Sequence, residues 1–544
     1  MDNWLAGGGD EVEWNEDIDT QQREDEDQSS QESKANSPKS EDQKTKSRKP
    51  TAEWTRADKT LDDPFKNVRA ITEESFEVDQ IESIQNEGDF EVGDGMYCPA
   101  FSVLMNTVFE SAPEKLQVGD RRLTWWEDES LVPKHPVTLV NPMTWAQSAE
   151  VPDDLTHGVL GMDPEDTFVF SDSGGFQVKS FEEMCVVDSP DMHSFRDYRV
   201  MPEKLLEWQV KNASAGPILD FSPYTVDSNE GKTESIAELE TFEETQFNPN
   251  LEQTAENAER MYDHRQRIGA DDFKLYNVLH GTIPFDNSTR PTYYMDKWFD
   301  RVKDIGKFDG WGIGGGSNNM GKIALGLAYA SENIDESHLH FFGTGSLGGR
   351  AIIEYWRLYN GEDYAITSDS TSFEVGSQYR QFFSPLMHGQ KICVSQRSEE
   401  QENIIADVTP CHCSVCAQME REHGPTWVWD KDDAQTGVAL NLHNLNQFLS
   451  RHKTIQALVQ GSGKDLPDRY VQNGSQSKSV FWSSMDNIFS NETVRNVWEC
   501  MKFIQRVEED GMSAACDDFV FESPYTDVKG PLIYEKNVGG FDEW

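Results

Sequence analysis

From about residue 97 the chain alternates short apolar runs with longer polar stretches whose apolar positions recur at helical spacing. Eight runs have the length and composition of buried strands: 98–105, 137–141, 167–172, 217–221, 274–280, 310–314, 338–343 and 364–369. Between them, 202–210, 251–268, 287–305 and 346–360 read as amphipathic helices; the first has Pro202 near its start and Gly216 beyond its end. This alternation predicts an α/β fold, a (β/α)8 TIM barrel, with a doubly wound sheet as the competing architecture. A barrel places its chemistry at the C-terminal ends of its strands. Asp172, Asp220, His280, Gly314-Gly315 and Asp369 fall at the ends of the third, fourth, fifth, sixth and eighth runs.

The stretch Phe168-Val-Phe-Ser-Asp-Ser-Gly-Gly-Phe-Gln177 is the most informative of these ends. A rigid apolar strand breaks into a carboxylate, Asp172, and then a glycine pair where backbone can approach a ligand. Phe176 follows with a flat face for stacking. An acid before glycines also makes an ordinary tight turn, so the motif gains weight only from its companions.

Outside these elements the texture changes. Residues 1–65 are acidic and polar with few apolar positions, which predicts a disordered tail, and 66–96 form a transitional segment. The barrel is assigned to 97–384, a metal-binding subdomain to 385–460, and a C-terminal helical segment closing the barrel, plus a tail, to 461–544. Residues 226–250 are an acidic insertion on the catalytic face, a lid or a disordered loop. With 36% hydrophobic residues the chain can build a large core.

Charge changes the picture further. Acidic residues outnumber basic ones 98 to 48 and give a formal net charge of −50 spread along the whole chain. Such a surface fits a halophilic protein kept soluble in concentrated salt. It would repel nucleic acid at low salt, but at molar salt the screening length is about 3 Å and the objection lapses. Apolar runs are too short to span a membrane and the acidic N-terminus is no signal peptide, so the expected location is cytoplasmic.

Of eight cysteines, three cluster as Cys411-His-Cys-Ser-Val-Cys416. Thiolates at this spacing with a downstream histidine suit a closed tetrahedral Zn2+ site of structural type rather than a disulfide framework. His412, His423, His443 and His452 are the available imidazoles, and His412 lies too close to its flanking cysteines.

In order along the chain, several motifs together resemble the tRNA-guanine transglycosylase family. They are Ser171-Asp-Ser-Gly-Gly-Phe-Gln177, Pro202-Glu-Lys with Glu207-Trp-Gln209, and Leu219-Asp-Phe-Ser-Pro-Tyr224. Phe308-Asp-Gly-Trp-Gly-Ile-Gly-Gly315, Phe342-Gly-Thr-Gly345, Ser368-Asp-Ser370, the cysteine cluster and Leu442-His-Asn-Leu445 complete the set. The resemblance implies exchange of a guanine base in a nucleic acid for a free 7-deazaguanine of the preQ0 or preQ1 kind. It implies Asp369 as nucleophile and Asp172 as general acid/base. Phe176, Asp220, His280, Gly314, Gly315 and Asn141 would bind the base, and Cys411, Cys413, Cys416 and His443 would hold zinc. A homodimer and helper proteins are further family expectations.

Departures from the family pattern bear on the polymer. His280-Gly-Thr282 stands where a glutamine turn is usual, and Phe221 and Ser222 replace an acid and a cysteine beside Asp220. The bacterial arginine-containing segment is absent after Asp369, and no RNA-binding module is recognisable after His443. These gaps resemble the family's DNA-modifying branch, so DNA is favoured over tRNA. A non-catalytic partner subunit is the alternative reading, opposed by retention of both Asp172 and Asp369.

Overall fold

Strands with apolar side chains on both faces need cover on both faces, which a closed parallel barrel wrapped in helices supplies. The computed structural model describes residues 96–100, 108, 113–142, 153–175, 201–223, 242–282, 291–370, 373, 376–377, 381–383, 391–393, 411–466, 491–522 and 532–535. Within these, 133, 136, 163–166, 315–318, 362–363, 412, 425–426 and 430–433 are excepted. The expected tail and all but the last residue of the transitional segment therefore lie outside the described residues.

Among the described residues eight strands form one parallel sheet: β1 (Met96–Pro99), β2 (Val137–Val140), β3 (Phe168–Ser171), β4 (Ala215–Pro217), β5 (Lys274–Leu279), β6 (Gly310–Ile313), β7 (His338–Phe341) and β8 (Ala365–Ser370). Sequential strands pair from β2 to β8, and β8 pairs with β1 through Cys98↔Asp369 and its neighbours. The Ala100↔Leu139 bridge joins β1 to β2, and Thr138 Oγ1 donates to the Pro99 carbonyl across the same seam at 3.1 Å. The sheet is thus a nearly closed (β/α)8-type barrel, and the doubly wound alternative is set aside.

Alternate residues divide the two faces. Cys98, Val137, Leu139, Phe168, Phe170, Ala215 and Tyr276 share one buried cluster, while the intervening Val140 and Val169 belong to another. β4 covers 215–217 where a run of 217–221 was expected: Ile218 N–H still reaches the Tyr276 carbonyl at 2.9 Å, while the Pro217 carbonyl accepts from Gln209 Nε2 at 3.1 Å. β1 covers 96–99 rather than 98–105, and 101–107 lie outside the described residues.

Among the described residues five helices connect the strands from β3 onward: α1 (Met201–Asn212), α2 (Asn248–Ile268), α3 (Tyr293–Val302), α4 (Met320–Asn333) and α5 (Leu347–Asn360). The end of the acidic insertion, 242–250, is helical: a π turn, Glu243–Phe247, leads into α2 because Phe247 is buried against Tyr294 and Trp298. α4 escaped the periodicity reading. Its run Ile323-Ala-Leu-Gly-Leu-Ala-Tyr-Ala330 has no polar face and so no helical period, and a helix apolar all round must be buried. The cover is α8 (Asn491–Asp510), whose Val494, Val497, Met501 and Ile504 share the α4 and α5 core.

After β8 come the hairpin Gln381–Phe383/Lys391–Cys393, α6 (Ser414–His423) and the long α7 (Ala434–Ser462); α9 (Met512–Asp518) follows α8. Among the described residues no helix is long and apolar enough to cross a membrane.

One feature of α5 runs against burial of charge. Glu354 is fully buried between Arg350 (2.5 Å) and Arg357 (3.0 Å), both nearly buried themselves. Removing the shared carboxylate leaves two guanidinium groups in a desolvated helix interface. Glu354→Ala is expected to cost about 3–5 kcal/mol in chemical denaturation. A loss below about 1 kcal/mol would show that another acid, such as the buried Glu499 of α8, takes over the pairing.

Candidate functional site at the barrel mouth

Each strand end delivers its polar group because the last ladder bond fixes the backbone just before it. Asp172 N–H donates to the Val140 carbonyl at 2.8 Å as β3 ends, and Gly314 N–H does the same to Leu279 as β6 ends. Gly174 adopts φ +70°, the left-handed turn that favours glycine. A Cβ at Gly175 would sit 1.8 Å from the Asp220 carbonyl oxygen, so only glycine allows the β3 turn to approach β4. A Cβ at Gly314 would meet the His280 ring at 2.2 Å for the same reason.

The groups gathered there form two linked sets. Asn141 Nδ2 donates to Asp172 Oδ2 at 2.7 Å. Beside it, Ser173 Oγ donates to Asp220 Oδ1 at 2.6 Å and His280 Nε2 donates to Asp220 Oδ2 at 2.7 Å. Each Asp220 oxygen keeps a lone pair, so the carboxylate can still accept from a ligand N–H. On β8, Asp369 Oδ1 accepts from Gly343 N–H at 2.8 Å and from His340 Nε2 at 3.3 Å.

The electrostatics of the mouth act on Asp172. Burial raises the Asp172 carboxyl from the ordinary carboxylate range to about 7, and the neighbouring Asp369 and Asp220 carboxylates push the same way. The Ser173 and Gly174 N–H groups oppose this without cancelling it. Near neutral pH Asp172 can therefore both give and take a proton, the property of an acid/base group.

Among the expected site residues, Asn141 and Asp172 come into direct contact, as do Asp220 and His280, with Gly314 against the latter's ring. Phe176 and Gly315 lie outside the described residues. The sequence reading did not single out Ser173, which anchors Asp220, or His340, which reaches Asp369. His340 carried one signal: a lone internal polar residue in Leu339-His-Phe-Phe342, at the strand running into Gly343-Thr-Gly345.

The second constellation is metal-ligating. The thiols of Cys411, Cys413 and Cys416 and a ring nitrogen of His443 lie within 4.8 Å of one another, the one such cluster among the described residues. His443 Nδ1 faces the three sulfurs at 3.8, 3.4 and 3.3 Å. Its Nε2–H donates to the Phe383 carbonyl at 3.0 Å, which fixes the tautomer with the Nδ1 lone pair toward the sulfurs. The ring also stacks on Phe382, centroids 4.0 Å apart. Three thiolates and an imidazole make a soft, four-donor set able to hold a metal ion, with no position left for substrate. Of the other imidazoles, His423 pairs with Gln435 at 2.9 Å, His452 packs on Phe448, and His412 lies outside the described residues.

A scan against protein-family models and a search of curated proteins both return no match. The site is therefore judged on its own geometry. Substitution with Co2+ is expected to give about one ion per chain with thiolate-to-cobalt absorption, lost in Cys413→Ser. A Cys500→Ser control, altering a thiol buried in the α8 core, should keep it.

Proposed function

We propose that the protein is a nucleic-acid guanine transglycosylase, replacing a guanine with a free 7-deazaguanine, with DNA the favoured polymer and tRNA the alternative. The observation that carries the reading is the pairing of unlike carboxyl groups: Asp172, raised to about 7 on one strand end, beside Asp369, anchored through a single oxygen on another. Such a pair divides acid and nucleophile roles as retaining glycosyl transfer requires. The ordered motif resemblance supports the same chemistry, and the cysteine–histidine set fits structural Zn2+.

In this mechanism Asp369 Oδ2 attacks C1′ of the target nucleoside. The C1′–N9 bond breaks, its electron pair leaves with guanine, and Asp172 supplies a proton to the departing base. The resulting glycosyl ester is then attacked at C1′ by the incoming base, which loses its proton to Asp172. The C1′–Oδ2 bond breaks and its pair returns to Asp369. Two inversions give net retention. The target nucleotide must leave its stack to reach the mouth, at a cost of a few kcal/mol. Asp220, held by Ser173 and His280, would accept from the base N–H groups, with Asn141 steadying Asp172, and Phe176 and the Gly314-Gly315 turn flanking the base.

The decisive experiment offers labelled guanine with DNA and, separately, tRNA at molar salt. Label should enter DNA, and Asp369→Ala should abolish it. Label in tRNA alone would reassign the polymer, and no incorporation into either would leave a non-catalytic partner subunit.

Asp172 also makes a pH prediction. A carboxyl raised in the folded state favours folding least when ionised, so it penalises stability above about 7 and not below about 4. Asp172→Asn should abolish exchange yet stabilise the fold by on the order of 2 kcal/mol at pH 8, the gain disappearing as pH falls through this window. In the wild type, kcat/KM for the nucleic acid should fall as pH rises through about 7.

A further inference from the structure

His340 sits near the end of β7, fully buried in the barrel, with its ring stacked on Phe170 at 3.9 Å and 10° between planes. Its Nδ1 lies 2.8 Å from Thr367 Oγ1 and its Nε2 3.3 Å from Asp369 Oδ1. Thr367 reaches its other partner, the Leu339 carbonyl, only at 3.5 Å, so the short bond is the hydroxyl donating to Nδ1. The proton then belongs on Nε2, where it points at the carboxylate. Stacking and the hydroxyl together hold the ring in this one orientation.

Both donors to Asp369, His340 Nε2–H and Gly343 N–H, fall on Oδ1. Oδ2 is left without a donor among the described residues. We propose that His340 is a positioning residue that splits the two oxygens of Asp369 into an anchored one and a reactive one, and that it favours the second half of the exchange. The proposal rests on the reading above that Asp369 is the nucleophile.

The argument follows the charge. When Oδ2 bonds C1′, Oδ1 becomes an ester carbonyl, a weaker acceptor than a carboxylate oxygen. When the C1′–Oδ2 bond breaks and its electron pair returns, negative charge spreads back onto Oδ1, and the waiting donors bind it more strongly. A donor on Oδ1 therefore stabilises free Asp369 over the glycosyl ester. It keeps the covalent intermediate from accumulating and speeds its breakdown by the incoming base.

The test uses the full-length protein and compares wild type, His340→Phe, His340→Gln and Thr367→Val. Covalent protein–nucleic acid adduct is trapped by denaturation during turnover, alongside kcat and KM for the base. His340→Phe keeps an aromatic ring on Phe170 but has no donor; adduct should rise about tenfold relative to wild type and kcat fall, with KM for the base not raised. His340→Gln places an amide N–H near the same oxygen and should restore most of the wild-type partition. Thr367→Val, which only loosens the ring, should shift the partition in the same direction by a smaller factor. Should His340→Phe fail to fold, the Thr367→Val partition decides. Unchanged adduct, or equal slowing of both half-reactions in the variants, overturns the proposal while leaving the transglycosylase reading intact. Failure of the wild type to incorporate base into either polymer overturns that reading and the proposal with it.

Discussion

The mouth of the barrel is governed by the burial of carboxyl groups that the fold brings together. Closing the sheet sets the ends of β3, β4 and β8 around one opening, and each carries an aspartate at or just beyond it. Ionising a carboxyl in a recessed site beside two others is expensive. Asp220 is held by Ser173 and His280, and Asp369 by Gly343 and His340; Asp172 has Asn141 and the N–H groups of its own turn. Burial, with Asp369 and Asp220 nearby, lifts the Asp172 carboxyl to about 7. Three side chains of one chemical kind are thus held by three different sets of partners.

The metal module is tied to this mouth through a continuous set of contacts. α7 carries His443 at the cluster and, farther along, Phe448, which packs on Tyr97 with ring centroids 4.7 Å apart. Tyr97 donates its hydroxyl to the Ser370 carbonyl at 2.6 Å, one residue after Asp369. Gly345 makes room at the same spot, since a Cβ there would strike Ser370 at 2.1 Å and Phe448 at 3.2 Å. The four-donor cluster therefore sits on the helix that braces the strand carrying Asp369.

What could be read from the chain tracks the physical locality of each signal. Strand ends such as Asp172 and His280 were legible because an apolar run stopping at a polar residue is a pattern within a few positions. Cys411, Cys413 and Cys416 were legible because all three fall within a few residues of one another at the start of α6, whereas His443 came only through resemblance, 27 residues beyond Cys416. α4 was hidden because a helix buried on all sides has no amphipathic period, and its cover, α8, is more than 150 residues away in sequence. β4 was misplaced because the Pro217 carbonyl turns to the Gln209 side chain, a partner that an apolar run does not reveal.

His340 shows where such reading stops. Nothing in Leu339-His-Phe-Phe distinguishes a satisfied core histidine from one aimed at a carboxylate; the distinction arises only when β7 and β8 pair in register. Parallel pairing sets Leu339 beside Ile366 and His340 beside Thr367, and the ring then reaches two residues along β8 to Asp369. A one-residue shift would turn His340 to the other face of the sheet, so the contact depends on a register set by apolar packing along the barrel. The chemistry of Asp369 is therefore conditioned by the same alternation of buried side chains that closes the fold, and core and site are specified together.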